Sequence, residues 1–184
     1  MLALASLSGA GYAAYNMKSI DDTYSRLIDH DARALTLMLH NDDVTNDMGQ
    51  KLWNAVAETD ASTMKSLQAD FNKEAATELA ELDKGIQDLP KYKDQLQKLR
   101  DLTQEDIDGA KPVFTATIAQ DKAAAIKAMI SFQMSNDDIS DIVSKAIVVQ
   151  TKYVNDASNA ASNTTQRTIY TTLSLISGSQ KWLV

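Results

Sequence analysis

The chain has 184 residues, of which 44% are hydrophobic, with six glycines, two prolines and no cysteine. That length supports one domain with a sizeable core, and the scarcity of helix breakers favours an all-helical fold. A net charge of −7 without a basic patch argues against nucleic acid as a partner, and the missing cysteines exclude disulfides and thiol chemistry.

Residues 1–15 carry no charged side chain. The run is shorter than the ~20 residues of a membrane span, and no Lys or Arg precedes it as a secretory leader requires. It is read as the outer part of a transmembrane helix, the alternative being an apolar helix end packed on the fold. From Met17 onward, Ile20, Tyr24, Leu27, Leu35, Met38, Met48, Leu52 and Val56 keep helical spacing. They predict one amphipathic helix from near Ser6 to Ala57. The part from Met17 to Val56 alone would be ~60 Å long, which requires partners of comparable length alongside. His40-Asn41-Asp42-Asp43 is its weakest stretch, because Asn and Asp favour caps and turns, and a kink is expected there.

Thr59, Asp60 and Ser62 are N-cap candidates for a second helix with the stripe Met64, Leu67, Phe71, Ala75, Leu79, Leu82 and Ile86. Asp88-Leu89-Pro90 closes it, and Pro90 suits the first turn of a third helix. The third stripe is Leu96, Leu99, Ile107, Ala110 and Phe114, with a bend expected near Gly109 and Pro112. Asp121 caps a short helix over residues 122–132. Ser135 or Asn136, with Asp137 and Asp138 behind it, then starts the last long helix. Its expected stripe is Ile139, Ile142, Ala146, Val149, Tyr153, Ala157, Ala160, Thr164, Thr171 and Leu175. Residues 169–178 are again uncharged before Lys181 interrupts the run.

These lengths predict an antiparallel up-down-up-down four-helix bundle whose long first and last helices run side by side beyond the shorter pair. The expected division is 1–15 as the outer part of a membrane helix, 16–176 as the bundle domain and 177–184 as a tail.

With long outer helices, Tyr24-Ser-Arg-Leu-Ile-Asp-His-Asp-Ala-Arg33 on the first and Ile118-Ala-Gln-Asp-Lys-Ala-Ala-Ala-Ile126 ahead of the last, the chain resembles a known family. That family is the extracytoplasmic four-helix-bundle sensor domains of bacterial methyl-accepting chemotaxis proteins and sensor histidine kinases. The resemblance implies a periplasmic domain of an inner-membrane protein, attached to the membrane by both ends and dimerising through its first helix. It also implies a small-molecule ligand and a signal carried inward by movement of the last helix. Amino-acid sensors of this family are expected to hold a carboxylate with arginines at the membrane-distal end of the first helix. Here that end carries His40, Asn41, Asp42, Asp43, Asn46 and Asp47, with no arginine.

Arg26, His30 and Arg33 stand at i, i+4 and i+7 and line one face of an α-helix, where three cations can grip an organic acid. Asn155, Ser158 and Ser162 on the last helix are placed level with them as neutral hydrogen-bonding partners, with Thr165 beyond. The competing reading is a solvated face, in which Asp22 pairs with Arg26 and Asp29 with Arg33. Asp31 falls on the heptad continued from Met17 and Tyr24. It marks an internal pocket, a polar register pin, or a stripe that drifts until Asp31 faces water, the last being favoured. Trp53, Phe71, Phe114, Phe132 and Tyr153 are read as core rather than as an aromatic pocket.

No metal-ligand spacing, phosphate loop or nucleophile–base pair is found in the sequence, so neither cofactor, metal nor catalysis is expected. The function expected is that of a receptor sensor domain. Its rivals are a ligand-free dimeric spacer or docking domain for a periplasmic partner, and a soluble bundle enzyme or carrier.

Overall fold

The computed structural model describes the backbone of residues 2–180 and the side chains of residues 11–174 apart from Asp138. It is an all-α, antiparallel four-helix bundle with long outer helices. In order, α1 is Leu2–Arg26, a π-helical turn spans Leu27–Ala32, and α2 is Arg33–Ala57. Then follow α3 (Ala61–Asp88), a 3-10 turn at Pro90–Tyr92, α4 (Lys93–Ile118) and α5 (Lys122–Gln180). No strand occurs among the described residues. Of the expected tail, residues 177–180 continue α5 and residues 181–184 lie outside the described residues.

Local chemistry sets each boundary. The Asp60 carboxylate accepts the Thr63 N–H at 2.8 Å and caps α3. The Glu58 carboxylate accepts the N–H groups of Thr59 and Asp60 just before it. Leu89, restricted by the proline that follows, ends α3. At the end of α4 the Asp121 N–H donates to Ala116 O and the Gln120 N–H to Thr117 O, the paired bonds of a Schellman motif. Gln120 holds the left-handed position with φ 57°, a place that favours glycine. Gln120→Gly is therefore expected to stabilise the chain by about 1 kcal/mol in urea unfolding. Asp121 Oδ1 then accepts the Ala124 N–H and starts α5, as its type and place in the sequence suggest.

By compactness the chain forms two units. One comprises residues 34–149: α2, α3, α4 and the first part of α5. Its core has two apolar clusters. The first joins Met48, Leu52, Phe71, Val113, Phe114, Met129 and Phe132 near the α2–α3 and α4–α5 connections. The second joins Ala34, Met38, Leu82, Leu96, Leu99, Ile139 and Val143 toward the α3–α4 connection. Each cluster takes residues from opposite ends of successive helices, which is the up-down-up-down signature. Phe71 and Phe114 meet edge-to-face with centroids 5.2 Å apart.

The other unit comprises residues 2–33 with residues 150–180. Leu27, Gln150, Ala161 and Thr168 are buried there, and the Gln150 amide donates to Asp31 O at 3.1 Å. A π turn shifts backbone pairing from i+4 to i+5, so a carbonyl in it needs another donor, and Gln150 supplies one.

Several expectations are corrected. The irregular turn lies at Leu27–Ala32 and not at His40–Asp43, which is regular α-helix because Asn41 turns inward to partners in the core. Asp31 does not face water: it is 1% exposed. The buried and half-buried positions step by threes and fours through Asn16, Ile20, Thr23, Leu27, Asp31, Ala34 and Met38, which puts Asp31 on the inward face. Met17 is exposed. No short helix ends at Phe132, since the stripe Ala125, Met129, Phe132, Ile139, Val143 runs past Ser135 and Asn136 without a Gly or Pro to stop it. The last helix buries Ile139, Val143, Gln150, Ala161 and Thr168, whereas Ile142, Val149 and Tyr153 are exposed. Among the described residues no helix is long and apolar enough to cross a membrane.

Candidate functional site

Between the two apolar clusters of the four-helix unit lies a polar layer. Regular three- and four-residue steps carry Phe71 and Ala75 to Glu78 and Leu82 on α3, and Leu96 and Leu99 to Thr103, Asp106 and Ala110 on α4. The same steps carry Met38 to Asn41 on α2. Asn41, Glu78, Thr103 and Asp106 are each at most 3% exposed.

The Asn41 amide donates one N–H to Glu78 Oε1 at 2.9 Å and the other to Thr103 Oγ1 at 2.8 Å. The Thr103 hydroxyl in turn donates to Leu99 O at 2.9 Å. Three helices are thereby tied at one level, and a one-step slip of any of them would strand the partners. Glu78 Oε2 is buried without a hydrogen-bond partner. Burial pushes the Glu78 carboxyl above its ordinary range, with the Asn41 hydrogen bond and the nearby His40 opposing. Outside it, His40 Nε2 lies 3.7 Å from Glu78 Oε2 and 3.5 Å from Glu81 Oε2, with His40 and Glu81 about half exposed. At the edge of the layer His40, Glu78 and Glu81 thus bring three donor groups together.

Asp106 is the most perturbed group. Both its carboxylate oxygens are buried without a hydrogen-bond partner. Burial, with Glu105 adding a smaller push, raises its pKa from 3.8 to about 7.

A second feature of this unit is a cavity of about 250 Å³ between the α2–α3 and α4–α5 connections. Val56, Met64 and Ala125 give it apolar walls, and Glu58, Gln120 and Lys122 give it a polar rim. The αL cap at Gln120 and the Glu58 turn, each fixed by backbone hydrogen bonds, hold that rim in shape.

The cationic triad expected at Arg26, His30 and Arg33 is exposed, and His30 lies within the π turn. The wider turn changes the angular spacing that an unbroken α-helix would give the three. Counting antiparallel from the Asp31–Gln150 bond puts Asn155 level with Arg26, but Ser158 and Ser162 level with Thr23 and Ser19. Asn155 and Ser162 are exposed and Ser158 half-buried. Among the described residues no ion pair joins Asp22 to Arg26. Of the aromatic residues, Phe71, Phe114 and Phe132 are core, while Trp53 and Tyr153 are exposed.

Sequence reading passed over Glu78, Thr103 and Asp106 because it followed apolar residues and stepped to Leu79 and Ile107 beside them. The signal was present: heptad steps from Phe71, Leu96 and Leu99 land on Glu78, Thr103 and Asp106. No family model, curated protein or solved structure matches the chain.

Proposed function

We propose that the chain is the extracytoplasmic sensor domain of a membrane receptor, binding a small molecule in its four-helix unit and relaying a shift of the outer helices. One observation carries this reading. Residues 2–33 and 150–180 make up a compact unit of their own, and α5 runs as one 59-residue helix through both units. A continuous helix resists bending and transmits rotation or sliding over its length, which a chain of short capped helices does not. The cavity near Gln120 and Lys122, at about 250 Å³, is smaller than the roughly 300–1,000 Å³ of drug-sized sites but has their mixed apolar and polar lining, which favours a compact ligand over a plain spacer. Binding there shifts a signalling equilibrium only if the ligand prefers one arrangement of the helices.

The chain contains no cysteine, so one introduced thiol reports location cleanly. In the natural gene product, exposed Ser62→Cys is expected to react with a membrane-impermeant maleimide in cells whose inner membrane is intact. Protection until the cells are lysed would refute the extracytoplasmic placement. A thermal-shift panel of organic acids and amino acids is expected to raise the melting temperature with at least one compound. A flat response would favour the spacer or docking alternative.

A further inference from the structure

We propose that His40, Glu78 and Glu81 form a binding site for one divalent transition-metal ion of the zinc type, clipping α2 to α3. The inference does not depend on the receptor reading. Glu78 and Glu81 stand three residues apart and share a face of α3, and His40 meets them from the neighbouring helix. One donor atom from each residue lies within 4.8 Å of the other two.

The spacing fits coordination better than it fits a direct hydrogen bond. Bonds of about 2.0–2.1 Å in tetrahedral geometry put neighbouring donor atoms roughly 3.3–3.5 Å apart. His40 Nε2 stands 3.5 Å from Glu81 Oε2 and 3.7 Å from Glu78 Oε2. Both separations exceed the roughly 2.7–3.2 Å of a good N–H···O hydrogen bond.

A second observation points the same way. Glu78 is 2% exposed, yet its Oε2 has no hydrogen-bond partner. Asn41 cannot supply one, because both its amide hydrogens are committed to Glu78 Oε1 and Thr103 Oγ1. A buried carboxylate oxygen without a donor is costly, and a cation beside it removes the cost. The bond from Asn41 meanwhile fixes the plane of the Glu78 carboxylate, the part played by outer-shell partners in metal sites. His40 and Glu81, half exposed, give the ion an entry path and leave its fourth position to water. Two carboxylates and one neutral imidazole balance a dication, and the nitrogen donor favours zinc-like ions over magnesium or calcium.

The test uses the full chain stripped of metal and titrated with zinc chloride by calorimetry, and with cobalt chloride by visible absorption. One equivalent of zinc is expected to bind and raise the melting temperature, while magnesium chloride does neither. Cobalt is expected to give the intense visible bands of four-coordinate Co²⁺. His40→Ala and Glu81→Gln alter half-exposed side chains, so both should fold, as circular dichroism would verify. Each is expected to weaken zinc binding by more than about tenfold, since even outer-shell losses cost that much. Absence of saturable zinc uptake would overturn the proposal. So would uptake unchanged in both variants, which would place the ion on other surface carboxylates.

Discussion

Asp106→Asn is expected to remove most of a stability loss that the parent chain suffers as the pH rises from 5 to 8.5. The Asp106 carboxyl has no hydrogen-bond partner in the core, and burial raises its pKa to about 7 against 3.8 in the unfolded chain. Between those values the folded state holds a proton that the unfolded state has released. Stability therefore falls with rising pH across that window and levels off above pH 7. At about 1.4 kcal/mol per pH unit, the part between pH 5 and 7 is on the order of 2–3 kcal/mol. Urea unfolding of both proteins at the two pH values measures it. Glu78, also raised by burial, contributes in the same direction but is present in both proteins, so the difference between them isolates Asp106. Parallel pH profiles would show that Asp106 is ionised in the folded state at pH 5.

Phe114→Ala is expected to cost about 3–5 kcal/mol, a large part of the roughly 5–15 kcal/mol that holds a domain folded. Phe114 is 2% exposed and packs edge-to-face on Phe71, 1% exposed, within the larger apolar cluster. Truncation removes the ring from this pair and leaves a void in the cluster that also holds Val113, Met129 and Phe132. Chemical denaturation should show a lower midpoint. Trp53→Ala gives the contrast: its ring is half exposed and its N–H reaches Gln133 at only 3.4 Å, so the loss should stay near 1 kcal/mol or below. Equal losses in the two variants would contradict the packing described.

Much of this fold is legible in residue spacing and end chemistry. Asp60, Leu89-Pro90 and Asp121 mark the helix boundaries through a side-chain acceptor, a restricted backbone and a second acceptor, all local effects. Phe71, Leu82, Leu96 and Phe114 mark the core because their period is helical. Two things escape that reading. Ser135 to Asp138 look like a helix start, yet a start is used only where the chain must turn, and packing of Phe132 and Ile139 on both sides keeps α5 going. Asn41, Glu78, Thr103 and Asp106 sit where apolar residues are expected, and the partners of the first three are remote in sequence. Asn41 lies 37 residues from Glu78 and 62 from Thr103. Only the packed bundle brings them to one level. The Arg26, His30 and Arg33 alignment presumed an unbroken α-helix, and the π turn lies between them.

That turn bears on how the first 57 residues tolerate insertion and deletion. An i→i+5 loop is an α-helix carrying one surplus residue, and each α-helical residue advances about 100° around the axis. Deleting a single residue from Leu27–Ala32 would let the backbone relax to ordinary α-helical winding without breaking the helix on either side. Deleting one from within α1 or α2 would swing one flank round by nearly a third of a circle. Length variation in this stretch is therefore far better absorbed at six particular residues than at any of their neighbours.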